Sequence, residues 1–174
     1  KKSGSQTVSY LRFGKRPIAA SYLIDCADFI GCHQFEFLWQ FDVVSRLRDG
    51  GCLLLNTAIA PEEVWQRLPR SVQQAIVDKS ARVFAIDAYR VAREHNLGQR
   101  INTIMQTCFF AIADVMPAAV AVAEIKDAID KTYALKGKDI VALNHAAVDA
   151  ALAGLSELAV PDTADATSDI APPV

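Results

Sequence analysis

Gly50-Gly51-Cys52-Leu53-Leu54-Leu55-Asn56-Thr57 is the stretch on which the architecture turns. Cys52–Leu55 is a continuous apolar run with no wet face, and runs that are apolar on both faces belong to parallel sheets covered by helices. Two further short runs answer it. Asp28-Phe29-Ile30-Gly31-Cys32 ends at His33, and Arg82-Val83-Phe84-Ala85-Ile86 is closed by Asp87. Between them the spacing changes to that of helices. Phe35, Leu38, Phe41, Val44 and Leu47 predict a helix over Phe35–Leu47, with Gly50-Gly51 as its stop. Pro61-Glu62-Glu63-Val64 has the proline and the two acids of a helix start, and Ser71–Asp78 reads as a second short helix.

Beyond the third strand the chain turns helical. Ala88–His95 leads to Asn96-Leu97-Gly98, a C-terminal stop. Ile101–Ala113 is thirteen residues without a charge and predicts a buried helix, while Pro117–Tyr133 and Asp139–Leu158 are amphipathic. At the front, Thr7–Phe13 alternates in a two-residue period, Gly14-Lys15-Arg16-Pro17 punctuates it, and Ile18–Ile24 reads as the returning strand of a hairpin. The expected fold is α/β: a three-layer open sheet, mostly parallel, with a front β-hairpin and a helical C-terminal part. Residues 1–158 form the expected domain. Residues 159–174, rich in Ala, Asp, Thr, Ser and Pro without apolar periodicity, are expected to be a flexible linker.

Composition limits the function classes. The 174 residues carry 18 basic and 20 acidic side chains, a formal charge of −2, which excludes a domain-wide basic surface for nucleic acid. The thirteen-residue uncharged run is too short to span a bilayer, so no membrane partner is expected either. Cys26, Cys32, Cys52 and Cys108 contain no tight pair of the kind that brings two thiolates to one metal. They read as buried, reduced thiols packed as small hydrophobes, and so as a chain of the cytoplasm.

No self-contained active site emerges. His33 sits at the carboxyl edge of a strand, but one histidine without a placed partner reads first as a loop residue, and His95 and His145 fall on helices. Asn56-Thr57 and Asp87 each lie where a strand gives way to a helix, so each either caps a helix or faces a ligand crevice. Anion binding has more support. Lys1-Lys2-Ser3-Gly4 puts two ammonium groups beside a turn. Gly98-Gln99-Arg100-Ile101-Asn102-Thr103 sets a glycine, a guanidinium and two amide side chains where a helix begins, the place that favours a phosphate. The plainer reading makes Asn102 a cap, with Gln99 and Arg100 as solvated surface.

Five segments in order carry a resemblance. They are Lys1–Gly4, Val8-Ser9-Tyr10-Leu11-Arg12-Phe13-Gly14, Ala27–His33, Gly50-Gly51 with Leu53–Asn56, and Arg100-Ile101-Asn102-Thr103-Ile104-Met105-Gln106. Together they resemble the gamma domain of the pyruvate:ferredoxin (flavodoxin) oxidoreductases, within the wider 2-oxoacid:acceptor oxidoreductases, from residue 1 to about Leu158. The resemblance implies a part of an enzyme that converts pyruvate and coenzyme A to acetyl-CoA, carbon dioxide and a reduced acceptor. Thiamine diphosphate and [4Fe-4S] clusters are implied on other domains. Ferredoxin or flavodoxin is implied as acceptor, and a homodimer as the parent's state. On this domain it implies a partial coenzyme A site of Lys1, Lys2, Gln99, Arg100 and Asn102, with no catalytic residue and no metal. Domains of this kind open with a strand and a glycine-rich turn ahead of the lysine pair. That segment is absent from this sequence, so the expected sheet is one strand short and the chain alone is expected to be inactive. The other expectation, from a different class, is a structural domain that only bridges its neighbours.

Overall fold

The computed structural model describes residues 7–14, 17–18 and 24–170. Lys1-Lys2-Ser3-Gly4 and most of the expected returning strand Ile18–Ile24 lie outside the described residues. The sheet has four strands in the order β1-β2-β3-β4: β1 Ala27–Cys32, β2 Leu47–Asn56, β3 Arg82–Ile86 and β4 Ser156–Glu157. The first three are parallel, with Leu53 opposite Ile30 and Val83, and β4 runs antiparallel to β3. The α/β expectation of an open, mostly parallel sheet holds.

The central run behaves as its composition requires. Leu53 and Leu55 enter one core with Val83 and Ala85, and Leu54 enters the other with Phe84 and Ile86. Successive side chains of a strand point to opposite faces, so a run with no polar member needs cover on both. On the first face that cover is a 3-10 turn, Phe35–Trp39, together with α1 Pro61–Val64, a 3-10 turn Trp65–Arg67 and α2 Arg70–Asp78. On the second it is α3 Ala88–Glu94, α4 Asn102–Ile112 and α6 Lys138–Gly154. A fifth helix, α5 Ala118–Tyr133, lies outside this layer and buries Ile125 and Ile129 against Val148 of α6.

Four expectations are corrected. Thr7–Phe13 is not a strand: Leu11 is 74% and Val8 55% exposed, and Phe13 instead stacks on Phe109 with ring centroids 5.5 Å apart. Its alternation puts apolar groups on both sides and it has no pairing partner among the described residues, so the pattern has no ladder to join. Phe35–Leu47 is helical only over its first turn, and Leu47 already opens β2. Gly50-Gly51 therefore sits inside a strand, at a register shift where Ala27 opposes Leu47 and Phe29 opposes Cys52. Gly50 has φ +71°, and a Cβ on Gly51 would meet the Arg48 carbonyl oxygen at 2.8 Å, so both positions require glycine for the bulge.

The last helix ends at Gly154 rather than Leu158, because Ser156 and Glu157 pair with Ala85 and Phe84 and Leu158 N–H donates to Val83 O. Finally, the described part of the expected linker, 159–170, is packed. α2 has no capping side chain of its own, and this segment supplies the missing acceptors: Ser168 O for Arg70 N–H and Asp169 Oδ1 for Ser71 N–H. A helix start with orphan donors selects a polar segment as partner, which is what the linker-like composition provides.

Candidate functional site

Strands β1, β2 and β3 all end at one edge, where α/β proteins place ligands. There the polar residues are committed to the fold. Asn56 is buried, donates through Nδ2 to His33 O at 3.0 Å, and accepts at Oδ1 from Ala88 N–H at 2.9 Å. One amide thus ties the ends of all three strands and caps α3. Asp87 Oδ1 accepts from Arg90 N–H at 2.8 Å, and Thr57 Oγ1 accepts from Ile59 N–H. Of the two alternatives for these residues, capping is the one realised. Gln34 Nε2 donates to the Tyr89 hydroxyl at 2.9 Å across the same edge, a link that nothing in the sequence signalled. The His33 ring is exposed on one side, and partial burial holds it below the ordinary histidine value.

The loop between α3 and α4 is different. Asn96 and Gly98 both take positive φ, 55° and 64°, and turn the chain sharply after Leu97 N–H donates to Ala92 O. Gln99, Arg100 and Asn102 are exposed. Arg100 spends its Nε on Leu97 O at 3.1 Å, which pins the guanidinium to the loop with its two Nη groups outward of that bond. Asn102 is the first residue of α4 and makes no capping bond; Ile101 precedes the helix. The capping alternative for Asn102 is not realised, and the first amides of an eleven-residue helix carry the partial positive charge that attracts an anion. The structure brings Gln99, Arg100 and Asn102 onto one exposed loop, and Lys1 and Lys2 lie outside the described residues.

Two clefts flank the layers. One, of about 490 Å³, lies between the Phe35–Trp39 turn and residues 165–168, and its carboxylate, Asp165, already accepts from Trp65 Nε1 and Gln66 Nε2. The other, of about 340 Å³, lies between α4 and α5, beginning at Thr103, one residue beyond Asn102. Neither was legible from periodicity. The one trace of the second is the small side chains of Ala121 and Ala128 on the inner side of α5.

The thiols divide. Cys32 and Cys108 are buried, and burial pushes them up to about 11 and about 12. Cys26 is exposed, just ahead of β1, and Cys52 is half-buried, so two of the four depart from the expected burial. His145 clamps α5 to α6, with Nε2 2.9 Å from Asp130 Oδ1 and 3.2 Å from Lys126 O. Among the described residues no three His, Cys, Asp or Glu side chains converge as a metal site, and no helix is long and apolar enough to cross a membrane.

A family model described as pyruvate ferredoxin/flavodoxin oxidoreductase matches residues 1–154. A putative pyruvate-flavodoxin oxidoreductase from Synechocystis sp. is 53% identical over 99% of this chain, which spans 14% of that relative. A pyruvate-flavodoxin oxidoreductase from Rhodospirillum rubrum is 54% identical over 92% of this chain and again 14% of the relative. Among solved structures, the PORC subunit of pyruvate oxidoreductase from Thermotoga maritima superposes with a TM-score of 0.58 at 17% identity. That match covers 77% of this chain and 66% of the other, a likeness of fold.

Proposed function

Because this chain belongs to the pyruvate ferredoxin/flavodoxin oxidoreductase family, we propose that it supplies the coenzyme A contact of a pyruvate:acceptor oxidoreductase. It spans about one seventh of its curated relatives, 14% of their length, so the reaction belongs to the longer polypeptide. That reaction takes pyruvate and coenzyme A to acetyl-CoA and carbon dioxide, with two electrons passed to ferredoxin or flavodoxin. The observation that carries the reading is the exposed loop that opens α4 with Gln99, Arg100 and Asn102.

Coenzyme A presents a pyrophosphate and a 3′-phosphate. A planar guanidinium accommodates a phosphate through paired N–H donors, and a helix start adds its amides and dipole. Arg100, held by its Nε to Leu97 O, is fixed for that task with its outer N–H groups free of the loop bond. Gln99 and Asn102 add neutral donors on either side, and Lys1 and Lys2 add charge. The role of these residues is to hold and orient. Thiamine diphosphate supplies the carbanion chemistry on pyruvate, and [4Fe-4S] clusters carry the electrons. The described residues here do not fit either group: the thiols of Cys32 and Cys108 are pushed toward the protonated form, opposite to what cluster ligation needs. We assign both groups to other parts of a cytoplasmic, homodimeric parent.

Arg100→Ala in the full-length enzyme is expected to raise the apparent KM for coenzyme A about tenfold or more, as loss of one charge-assisted phosphate contact does. The KM for pyruvate should not move. Unchanged values for both would remove the role given to Arg100. A second reading, a domain that only bridges its neighbours, is favoured by the exposed apolar side chains of Val8, Leu11, Phe13 and Ile18. It predicts that neutralising Lys1, Lys2 and Arg100 together alters assembly and leaves coenzyme A dependence intact.

A further inference from the structure

The cleft between α4 and α5 has the chemistry of a nucleobase slot. Gln106 and Phe110 face it from α4, three and seven residues beyond Thr103 and so on one helical face. Glu124, Ile125, Thr132 and Tyr133 face it from α5. Its floor is apolar, with Ile125 buried, while Gln106, Glu124 and Thr132 are exposed at the rim. None of the hydrogen bonds or ion pairs among the described residues engages the side chains of those three rim residues. The volume of about 340 Å³ lies at the small end of the range for ligand clefts, roughly 300–1,000 Å³. That suits one planar base with its sugar and not an entire cofactor.

The rim also says which end of a ligand enters. A carboxylate repels phosphate, so Glu124 excludes the phosphates from the cleft and keeps them at the Arg100 loop. The same carboxylate accepts from an exocyclic amine, and the Gln106 amide both donates and accepts, as the edge of an aminopurine requires. Phe110 and Tyr133 offer faces on which a base can pack. Thr103 lies three residues from Arg100, within one helical pitch of about 5.4 Å, a separation comparable to that between a ribose phosphate and its base.

We propose that the α4–α5 cleft seats the adenine base of an adenosine 3′-phosphate group whose phosphates are held at Gly98–Asn102, leaving the rest of the ligand outside the domain. This rests on the coenzyme A reading above and gives that site its base-specific half. Ala128, whose methyl group leaves the middle of the cleft open, sets its width.

The test is equilibrium binding to the full-length oxidoreductase, using adenosine 3′,5′-bisphosphate, its inosine counterpart and phosphopantetheine as probes. The wild type should prefer the adenine compound to the inosine compound about fivefold or more, because the carbonyl of hypoxanthine offers Glu124 no donor. Glu124→Ala, a change at an exposed side chain, should abolish that preference, and Ala128→Trp should weaken the adenine compound about tenfold or more by filling the cleft. Phosphopantetheine binding should be the same in all proteins. If Arg100→Ala weakens the bisphosphate while Glu124→Ala and Ala128→Trp leave both affinity and base preference at wild-type values, the cleft assignment is overturned and the phosphate reading stands. If Arg100→Ala is also silent, the coenzyme A reading falls first and the cleft assignment with it. Should Ala128→Trp fail to fold by circular dichroism, loss or retention of the base preference in Glu124→Ala decides alone.

Discussion

Asn56 sets the geometry of the carboxyl edge through two bonds that no neighbour in sequence explains. Its amide reaches His33 O, 23 positions back, and Ala88 N–H, 32 positions ahead, so one side chain holds three strand ends in register. Replacing it with alanine leaves a buried carbonyl and a buried helix-start N–H without partners. Asn56→Ala should therefore cost about 2–3 kcal/mol. Asn56→Asp keeps the acceptor for Ala88 but loses the donor to His33, and should leave that carbonyl facing an anion. Urea denaturation would measure both; a loss below about 0.5 kcal/mol for Asn56→Ala, the scale of an ordinary surface change, would mean that the edge does not depend on this amide. The same comparison explains what the sequence made legible about the site. Gln99, Arg100 and Asn102 stood out because they are adjacent and follow a glycine with φ +64°. The commitment of Asn56, Thr57 and Asp87 to capping was left open, because it depends on which strand ends meet, and residue spacing alone does not encode that.

The segment after β4 works as an element in its own right, a strap across α2 and the Trp65 turn. Gln73 is fully buried, accepts at Oε1 from the N–H groups of Asp165 and Ala166, and donates through Nε2 to Trp65 O. Asp165 and Asp169 close the strap from outside. The donors Gln66 and Trp65 hold the Asp165 carboxyl below its ordinary 3.8, and Ser71 does the same for Asp169. A lowered folded value means that the strap gains from ionised carboxylates above 3.8 and loses that gain as pH falls through it. In a Trp39→Phe background, Trp65 emission should shift to the red below pH 3.8 before the far-ultraviolet signal of the helices changes, and Asp169→Ala should move that transition to higher pH. Simultaneous loss of both signals in every variant would show that the strap is not a separable unit. At this scale the sequence was reliable where burial dictates the pattern: β1, β3, the central part of β2, and helices α2 to α5 were each expected within a few residues. It misled where pairing partners decide. Thr7–Phe13 alternates without a ladder to join, Gly50-Gly51 is a bulge instead of a stop, and Ser156-Glu157 is a strand because β3 offers it an edge.

For the molecule as a whole, the sheet divides the interior into two cores that share one strand. Leu53 and Leu55 belong to the core under α2, and Leu54 to the core under α3, α4 and α6. Each core holds one deeply buried thiol, Cys32 in the first and Cys108 in the second. Burial raises both, to about 11 and about 12, from an ordinary 9.0. The sign follows: the folded state keeps these protons where the unfolded chain releases them. The stability they carry is therefore complete below pH 9.0 and is lost as pH rises from 9.0 toward 11 and 12. The two thiols also report whether the cores open separately. With Leu53, Leu54 and Leu55 consecutive in one strand, removing either cover exposes the backbone that supports the other, so we expect one cooperative unit. Thiol labelling with iodoacetamide, read by mass spectrometry residue by residue from pH 7 to 10, separates the cases. Exposed Cys26 should react at the rate of a free thiol, and Cys32 and Cys108 about a thousandfold or more slowly and with matching protection. Faster labelling of Cys108 than of Cys32 would mean that the layer of α4 and α6 detaches from the sheet on its own. Because that layer also carries Arg100 and the α4–α5 cleft, its detachment would couple ligand binding to local unfolding. Coenzyme A should then protect Cys108 selectively in the full-length enzyme and leave Cys32 unchanged.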